Sequence, residues 1–394
     1  MASKTQHPTK NCSVAIFYHF FPHYRKGVID EISNKVNAVF IGDPAGVEGI
    51  KPHRFGKEDT FKPAKCWYIG NFMFQPKTIK EAFGEYSTYI FLANPNHIST
   101  WIAAAICNAR GRRVIFWGHG FKSSIKSRKN SLRKIFFQLA HSFYTYGWRA
   151  KQNAIELGFS AKNIYVGFNS LDYKTQISVR NKILETESNA VISKSDDELL
   201  ITCISRLTHE CRYDLLLDAV SIVHKTSPIR CRIILIGDGP ERASLEKKAN
   251  TLAINAEFIG AVYEENAIAA RIFSADVTIS PGKIGLTAMH SLMYGTPVIS
   301  NNDFVSQMPE VEAVVPGFTG DFFETNDASS LAMVIMDFRS RFPDRRKTRK
   351  YCFDMIDGIY NPEKQIEILL MAINGIDAPK GDDAFTLFED QSIQ

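Results

Sequence analysis

No stretch of the chain reaches about 18 consecutive apolar residues, which argues against a membrane-spanning helix. There is no CxxC pair, no His/Cys cluster with metal-ligand spacing and no internal repeat of about 20–50 residues. The seven cysteines, at 12, 66, 107, 203, 211, 231 and 352, are odd in number and scattered, so they read as reduced, packed thiols. Neither sign of charge dominates. Lys plus Arg is 47 against 42 Asp plus Glu, and a net charge of +5 is too mild to imply nucleic acid. Residues 1–10 lack the apolar core of a secretory signal, so the expected location is the cytoplasm. With 45% hydrophobic and 23% charged residues, the composition is that of a globular protein and excludes disordered, collagen-like and coiled-coil classes. A length of 394 residues is enough for two or three domains.

Short runs rich in β-branched and aromatic residues alternate with amphipathic stretches. In the first half the predicted strands are Ser13–Tyr18, Ala38–Ile41, Thr88–Leu92, Arg113–Trp117, Phe143–Tyr146 and Ile164–Phe168, with helices such as His97–Ala109 and Ser131–His141. In the second half they are Leu199–Ser205, Cys231–Ile236, Glu257–Ile259, Asp276–Ser280 and Pro297–Ser300. Helices are predicted at Tyr213–His224, Glu241–Leu252, Glu265–Phe273 and Leu286–Tyr294. The pattern predicts an α/β protein with two doubly wound, Rossmann-like domains facing each other across a cleft. The expected boundaries are a first domain over 1–178, a polar linker over 179–198, and a second domain over 199–345. A largely helical end is expected over 346–378, with a polar tail over 379–394.

Three segments carry candidate chemistry. Ile236-Gly237-Asp238-Gly239-Pro240 ends a strand in two glycines, which permit a tight turn and close backbone approach. Ser280-Pro281-Gly282-Lys283-Ile284-Gly285-Leu286 is a Gly-rich loop that opens a helix, a pattern suited to a phosphate, with Lys283 adding charge. Ser205-Arg206-Leu207 ends the first strand of the second domain, where an arginine can hold a diphosphate.

With Asp214-Leu215-Leu216, Phe258-Ile259-Gly260, Ala275-Asp276-Val277, Gly295-Thr296-Pro297-Val298, Pro309-Glu310 and Thr319-Gly320, these segments form an ordered set. It resembles the donor half of the family 4 glycosyltransferases, over about Leu199–Phe323. The resemblance implies the GT-B fold and retaining transfer of a sugar from a nucleotide-sugar donor to an acceptor hydroxyl. It implies donor binding by Arg206, Gly260, Val262 and the loop residues Gly282, Lys283, Ile284, Gly285 and Leu286, and helices over 346–378 that cross back to the first domain; Gly237, Gly239, Arg212 and His290 complete the donor-side candidates. It also matches His119, in Trp117-Gly118-His119-Gly120, to a histidine near the transferred sugar, which gives a catalytic set of His119, Arg206 and Lys283.

The chain departs from the family at three positions. Cys211 stands where the family has a lysine, with Arg212 next to it. Gly282 and His290 stand where it has two glutamates eight residues apart. Gly282 offers no side-chain contact to a sugar, whereas His290 can still bond a ribose hydroxyl. There is no DxD motif, so the expectation is a metal-independent enzyme without cofactor. Cationic side chains then offset the charge of the leaving diphosphate.

Phe121–Ile155 holds eight basic residues and no acidic one. Among them Lys122, Lys126, Arg128, Lys129, Arg133 and Lys134 read as a basic face for an anionic membrane, interleaved with apolar side chains. Tyr18–Gly27, after the first strand, supplies His19, His23, Tyr24, Arg25 and Gly27 as acceptor-side candidates. The expected partners are a nucleotide-sugar and a glycan or lipid-linked glycan in surface polysaccharide or glycolipid assembly, at the inner face of the membrane, and no nucleic acid. A noncatalytic partner subunit and a nucleotide-sugar epimerase are the alternatives.

Overall fold

The computed structural model describes residues 13–46, 50–56, 61–121, 128–186, 195 and 197–381, with residues 128–130 as backbone only. The chain forms two compact units, residues 13–172 with 362–381, and residues 173–361.

In the first unit the strands are β1 (Ser13–Phe17), β2 (Asn37–Gly42), β3 (Phe61–Pro63), β4 (Trp67–Ile69), β5 (Phe72–Phe74), β6 (Thr88–Leu92), β7 (Arg113–Gly118), β8 (Ser142–Thr145) and β9 (Ile164–Val166). Its helices are α1 (Lys26–Lys35), α2 (Pro76–Glu81), α3 (Ile98–Ala109), α4 (Arg128–Phe137) and α5 (Trp148–Glu156). Seven strands pair in the order β3-β2-β1-β6-β7-β8-β9, every neighbour parallel. Successive residues of β1 and β6 are buried on both faces, as continuous apolar runs in a covered parallel sheet require.

In the second unit the helices are α6 (Tyr173–Glu185), α7 (Tyr213–Thr226), α8 (Arg242–Thr251), α9 (Glu265–Ser274), α10 (Thr287–Met293), α11 (Ala328–Met336), α12 (Phe338–Arg341) and α13 (Arg345–Gly358). The strands β10 (Glu198–Ile204), β11 (Arg230–Ile236), β12 (Asn255–Gly260), β13 (Val277–Ser280), β14 (Val298–Asn301) and β15 (Gly320–Phe323) pair in the parallel order β12-β11-β10-β13-β14-β15. This is the doubly wound order 3-2-1-4-5-6, with its switch point between β10 and β13. The helix α14 (Pro362–Asn374) belongs to the first unit, where Ile366, Leu369 and Ala372 join the core beside β1 and β6.

The polar stretch read as the start of a linker is helical instead. Residues 173–185 form α6, and the unit boundary falls at 172/173 rather than 178/179. Val179 and Ile183 are buried on one face of α6. Arg180, almost fully buried, is held by Asp357 of α13 at 3.1 and 2.7 Å and lies over the Phe353 ring. A helix with one apolar stripe and one charged anchor passes for a linker in a composition reading.

Candidate functional site

At the switch point of the second unit, two loops follow the carboxyl ends of β10 and β13. The first is Ser205–Arg212. The second is Pro281–Leu286, which leads into α10. Ligands of open parallel sheets bind at this place.

The loops are clamped backbone to backbone by glycines. A Cβ at Gly237 would stand 1.9 Å from the Ser205 carbonyl oxygen, and one at Gly239 would stand 2.3 Å from that of Leu207. At Gly282 it would stand 1.8 Å from the Glu210 carbonyl oxygen, and the Gly282 amide donates to the Cys211 carbonyl at 3.1 Å. The glycines were expected to admit a ligand; in the structure Gly237, Gly239 and Gly282 admit the neighbouring loop. No side chain fits at 282, so the carboxylate that the resemblance calls for has no room there. Gly260, at φ +85°, accepts from the Gly237 amide at 2.8 Å, and Val262 packs beside Ile204 and Ile259 against a small apolar cluster.

Side chains from β14 and beyond hold the second loop. Asn301 Nδ2 donates to the carbonyls of Pro281 and Gly282 at 2.8 and 2.9 Å. Gln307 Nε2 donates to Gly282 at 2.9 Å, while its Oε1 accepts from the Ile284 amide at 3.0 Å. Thr287 Oγ1 donates to the Ile204 carbonyl at 2.7 Å and ties α10 to β10. The Ile284 side chain is core. Among the described residues, the amides of Lys283, Gly285 and Leu286 have no acceptor, so three N–H groups remain for an anion or water.

The cations divide into two groups. Arg206 is exposed and, among the described residues, has no ion-pair partner. Lys283 is half exposed, with Nζ 3.9 Å from Glu210. Arg212, expected to supply charge to the donor, is otherwise engaged. It sits at φ +53°, donates to Asp214 at 3.1 and 3.4 Å, and bonds Asn326. Cys211 replaces the expected lysine with a packed thiol that donates to the Arg206 carbonyl at 3.1 Å.

His290, expected to meet a ribose, has a protein partner. Its Nε2 lies 3.3 Å from Glu265 Oε1, which also accepts from Tyr294 at 2.5 Å and Gln176 at 3.0 Å. Burial alone raises the Glu265 pKa, but the nearby His290 ring and the bonds from Tyr294 and Gln176 outweigh it and hold the carboxylate below its ordinary value. Asn301, Gln307 and Glu265 escaped the sequence reading, because a single polar residue in an apolar context carries no periodic signal.

The first unit gathers its candidates at the carboxyl end of its own sheet. Arg25 is buried in an aromatic box, with its guanidinium 5.2 Å from the Tyr18 and Tyr146 ring centres and 5.4 Å from that of Trp117. It also bonds the Tyr146 hydroxyl. Burial opposes the charge, yet the Tyr146 and Tyr18 hydroxyls outweigh it and raise the Arg25 pKa. Arg25 is therefore a packing and positioning group rather than an acceptor contact. Gly27 is another, since a Cβ there would meet the Leu171 carbonyl oxygen at 2.9 Å. His19 and His97 stack edge to face at 5.9 Å. Burial first, then Arg25 for His19 and His19 for His97, lowers both pKa values to about 4. His23 is exposed, with Nδ1 3.1 Å from the Lys51 carbonyl, and Tyr24 is half buried. His119 is exposed after β7, its ring 5.1 Å from that of Tyr146.

Lys122 and Lys126 lie outside the described residues, as do the side chains of Arg128 and Lys129. Arg133 is partly buried, donates to the Gly120 carbonyl at 3.4 Å and has its pKa lowered by burial. Lys134 is half buried, and Lys151 is buried and donates to Pro379 at 2.9 Å. Phe136 and Phe137 are core, while Leu132 and Ile135 are exposed. Among the described residues, no helix is long and apolar enough to cross a membrane, and no group of three or more His, Cys, Asp or Glu could hold a metal.

Residues 185–354 match the family described as glycosyl transferases group 1. A GDP-mannose-dependent alpha-(1-6)-phosphatidylinositol dimannoside mannosyltransferase of Mycobacterium tuberculosis is 32% identical over 154 residues, 38% of either chain. The match thus spans well under half of that relative. Among solved structures, the lipopolysaccharide outer core galactosyltransferase WaaB superposes with a TM-score of 0.66 at 14% identity, covering 92% of this chain and 99% of that one. Anabaena HepE, solved with UDP and glucose, gives a TM-score of 0.61 at 13% identity, covering 92% and 99%. The fold is of the GT-B type, with two Rossmann-like units.

Proposed function

We propose that this chain, a group 1 glycosyltransferase by its second unit, moves a sugar from a nucleotide-sugar to an acceptor hydroxyl. The observation that carries this reading is the switch-point site. There, among the described residues, three loop amides without protein acceptors adjoin Lys283, and Arg206 at the end of β10 has no ion-pair partner. As the glycosidic bond breaks, the leaving nucleoside diphosphate gains negative charge. Preorganised N–H groups and cations stabilise that charge, each charge-assisted bond contributing about 1.5–3 kcal/mol. The diphosphate would lie on the amides of Lys283, Gly285 and Leu286, with Arg206 and Lys283 as counter-charges and no resident metal. Transfer proceeds with retention, by attack of the acceptor hydroxyl on the face the diphosphate leaves.

For the first unit we propose acceptor handling at the carboxyl end of its sheet, with the exposed His119 and His23 as contact groups. A lipid-linked glycan acceptor at the cytoplasmic membrane face fits the mannosyltransferase relative, which acts on a phosphatidylinositol dimannoside. A nucleotide-binding subunit without turnover is the second reading. It is favoured by Gly282, Cys211 and His290, which stand where the resemblance calls for carboxylates and a lysine.

The test is release of nucleoside diphosphate from UDP-, GDP-, dTDP- and ADP-sugars by the full chain with lipid-linked and soluble glycan acceptors, with and without EDTA. Acceptor-dependent release from one nucleotide class, unchanged by EDTA, is the expected outcome. Binding without release would establish the subunit reading. Release abolished by EDTA would contradict metal independence.

A further inference from the structure

Between β3 and α2 the first unit projects a two-stranded antiparallel hairpin, β4 and β5, joined by Gly70-Asn71. Trp67 pairs with Phe74, Tyr68 with Met73 and Ile69 with Phe72. Directly paired residues share a face, so Trp67, Ile69, Phe72 and Phe74 make one face, and Tyr68 and Met73 the other. Met73, at 4% exposure, packs against the protein from that second face, while Tyr68 beside it stays 57% exposed. The outward face carries no polar side chain, and its members are 55, 81, 55 and 39% exposed. This inverts the usual pattern, in which the solvent face of a sheet is polar. Ile98 and Ile102, one turn apart on α3, are also exposed, and α3 packs on β5.

The hairpin is held firmly at its base. The Met73 amide donates to the Asn96 carbonyl at 2.9 Å, and the Gln75 amide to Ser99 Oγ at 2.7 Å. The buried Gln75 side chain donates to the carbonyls of Ala64 and Tyr18 at 3.1 and 3.3 Å. Around this apolar face the sequence is basic. Residues 61–80 contain Lys62, Lys65, Lys77 and Lys80 and no Asp or Glu. Lys65 Nζ lies 4.6 Å from the Trp67 ring centre.

We infer that this hairpin inserts its outward face into the headgroup region of an anionic lipid membrane. The occupant follows from the chemistry of the patch. Tryptophan and phenylalanine on one face suit the membrane–water boundary, and the exposed Lys65 and Lys80 of the same stretch complement anionic headgroups, whereas Lys62 is paired with Glu81 at 2.9 Å. Near such a surface each lysine strengthens binding about fivefold. The inference deepens the membrane-face reading above by naming the element that carries it, and assigns that role to the hairpin rather than to α4.

The experiment is co-sedimentation of the full chain with vesicles of phosphatidylcholine alone and of equal phosphatidylcholine and phosphatidylglycerol. The variants are Trp67→Ser/Ile69→Ser/Phe72→Ser/Phe74→Ser on the hairpin and Arg133→Glu/Lys134→Glu on α4. Wild type is expected to pellet with the mixed vesicles, less so in high salt, with a blue shift of tryptophan emission that Trp67→Ser removes. The hairpin variant is expected to bind at least about tenfold more weakly, since it loses four apolar anchors. Its far-ultraviolet circular dichroism, and any thermal shift that nucleotides give the wild type, are expected to stay the same. Wild-type chain that stays in the supernatant would overturn the inference, as would a hairpin variant that pellets like wild type. A wild-type dimer that the hairpin variant breaks, without vesicle binding, would overturn it in favour of a second copy. The nucleotide readout fails or succeeds independently, so loss of the membrane role and loss of the transferase reading are distinguishable.

Discussion

Gly282 shows how one residue can look like a lost catalytic group and yet be structural. Its missing side chain makes room for the Glu210 carbonyl, so the loop after β13 locks onto the loop after β10. Gly282→Ala is expected to destabilise by roughly 1–3 kcal/mol, because the clash is with backbone rather than a movable side chain. In a domain of this size that corresponds to a Tm lower by about 3–10 °C. Gly56→Ala, with nothing within 4 Å of its Cβ, is the control and is expected to stay within about 0.5 kcal/mol of wild type. A Gly282→Ala protein as stable as wild type would refute the clamp. The sequence showed that 282 had no carboxylate, but the reason is a contact with a carbonyl 72 residues away, which no local pattern encodes. Arg206 was legible because its place at the end of a strand follows from the apolar run before it. The engagement of Arg212 with Asn326 was not.

Strand and helix elements were legible wherever an apolar run was long or periodic. The inner parallel strands of both sheets show this, as do α3 and α7, whereas the short edge strands β3 and β15 were not legible. The hairpin β4–β5 escaped the sequence reading although Gly70-Asn71 separates its two runs, because its apolar face points outward and does not alternate with polar residues. At the ends of β1 and β6 two elements place His19 and His97 together, and this has a consequence for pH. Both folded-state pKa values, at about 4, lie below the ordinary 6.5. The unfolded chain therefore takes up protons between pH 6.5 and 4 that the folded chain does not. Stability is full above pH 6.5 and falls as the pH drops toward 4, with each histidine worth about 2–3 kcal/mol at the acid end. Urea unfolding of His19→Gln/His97→Gln is expected to show a shallower loss over that window. An unchanged slope would mean that the pair is not held neutral.

At the scale of the molecule, two Rossmann-like units share a doubly wound parallel strand order, to which the first adds a seventh strand and the hairpin, but differ in what stands at the carboxyl ends of their strands. The second carries amides and cations that suit a diphosphate. The first carries an aromatic box around a buried arginine, with histidines near it. The fold class was readable from strand–helix alternation, whereas the unit boundary was not, because the polar surface of α6 concealed its buried face. On the proposed reading, the second unit binds a nucleoside diphosphate through Arg206 and the loop after β13. Thermal unfolding of wild type and Arg206→Ala is to be compared with UDP, GDP, CMP, dTDP and ADP present. One nucleoside diphosphate is expected to stabilise the wild type by roughly 2.7 kcal/mol at 100 times its Kd, and the variant by far less at the same concentration. Equal stabilisation of both proteins, or none of wild type by any nucleotide, would contradict it.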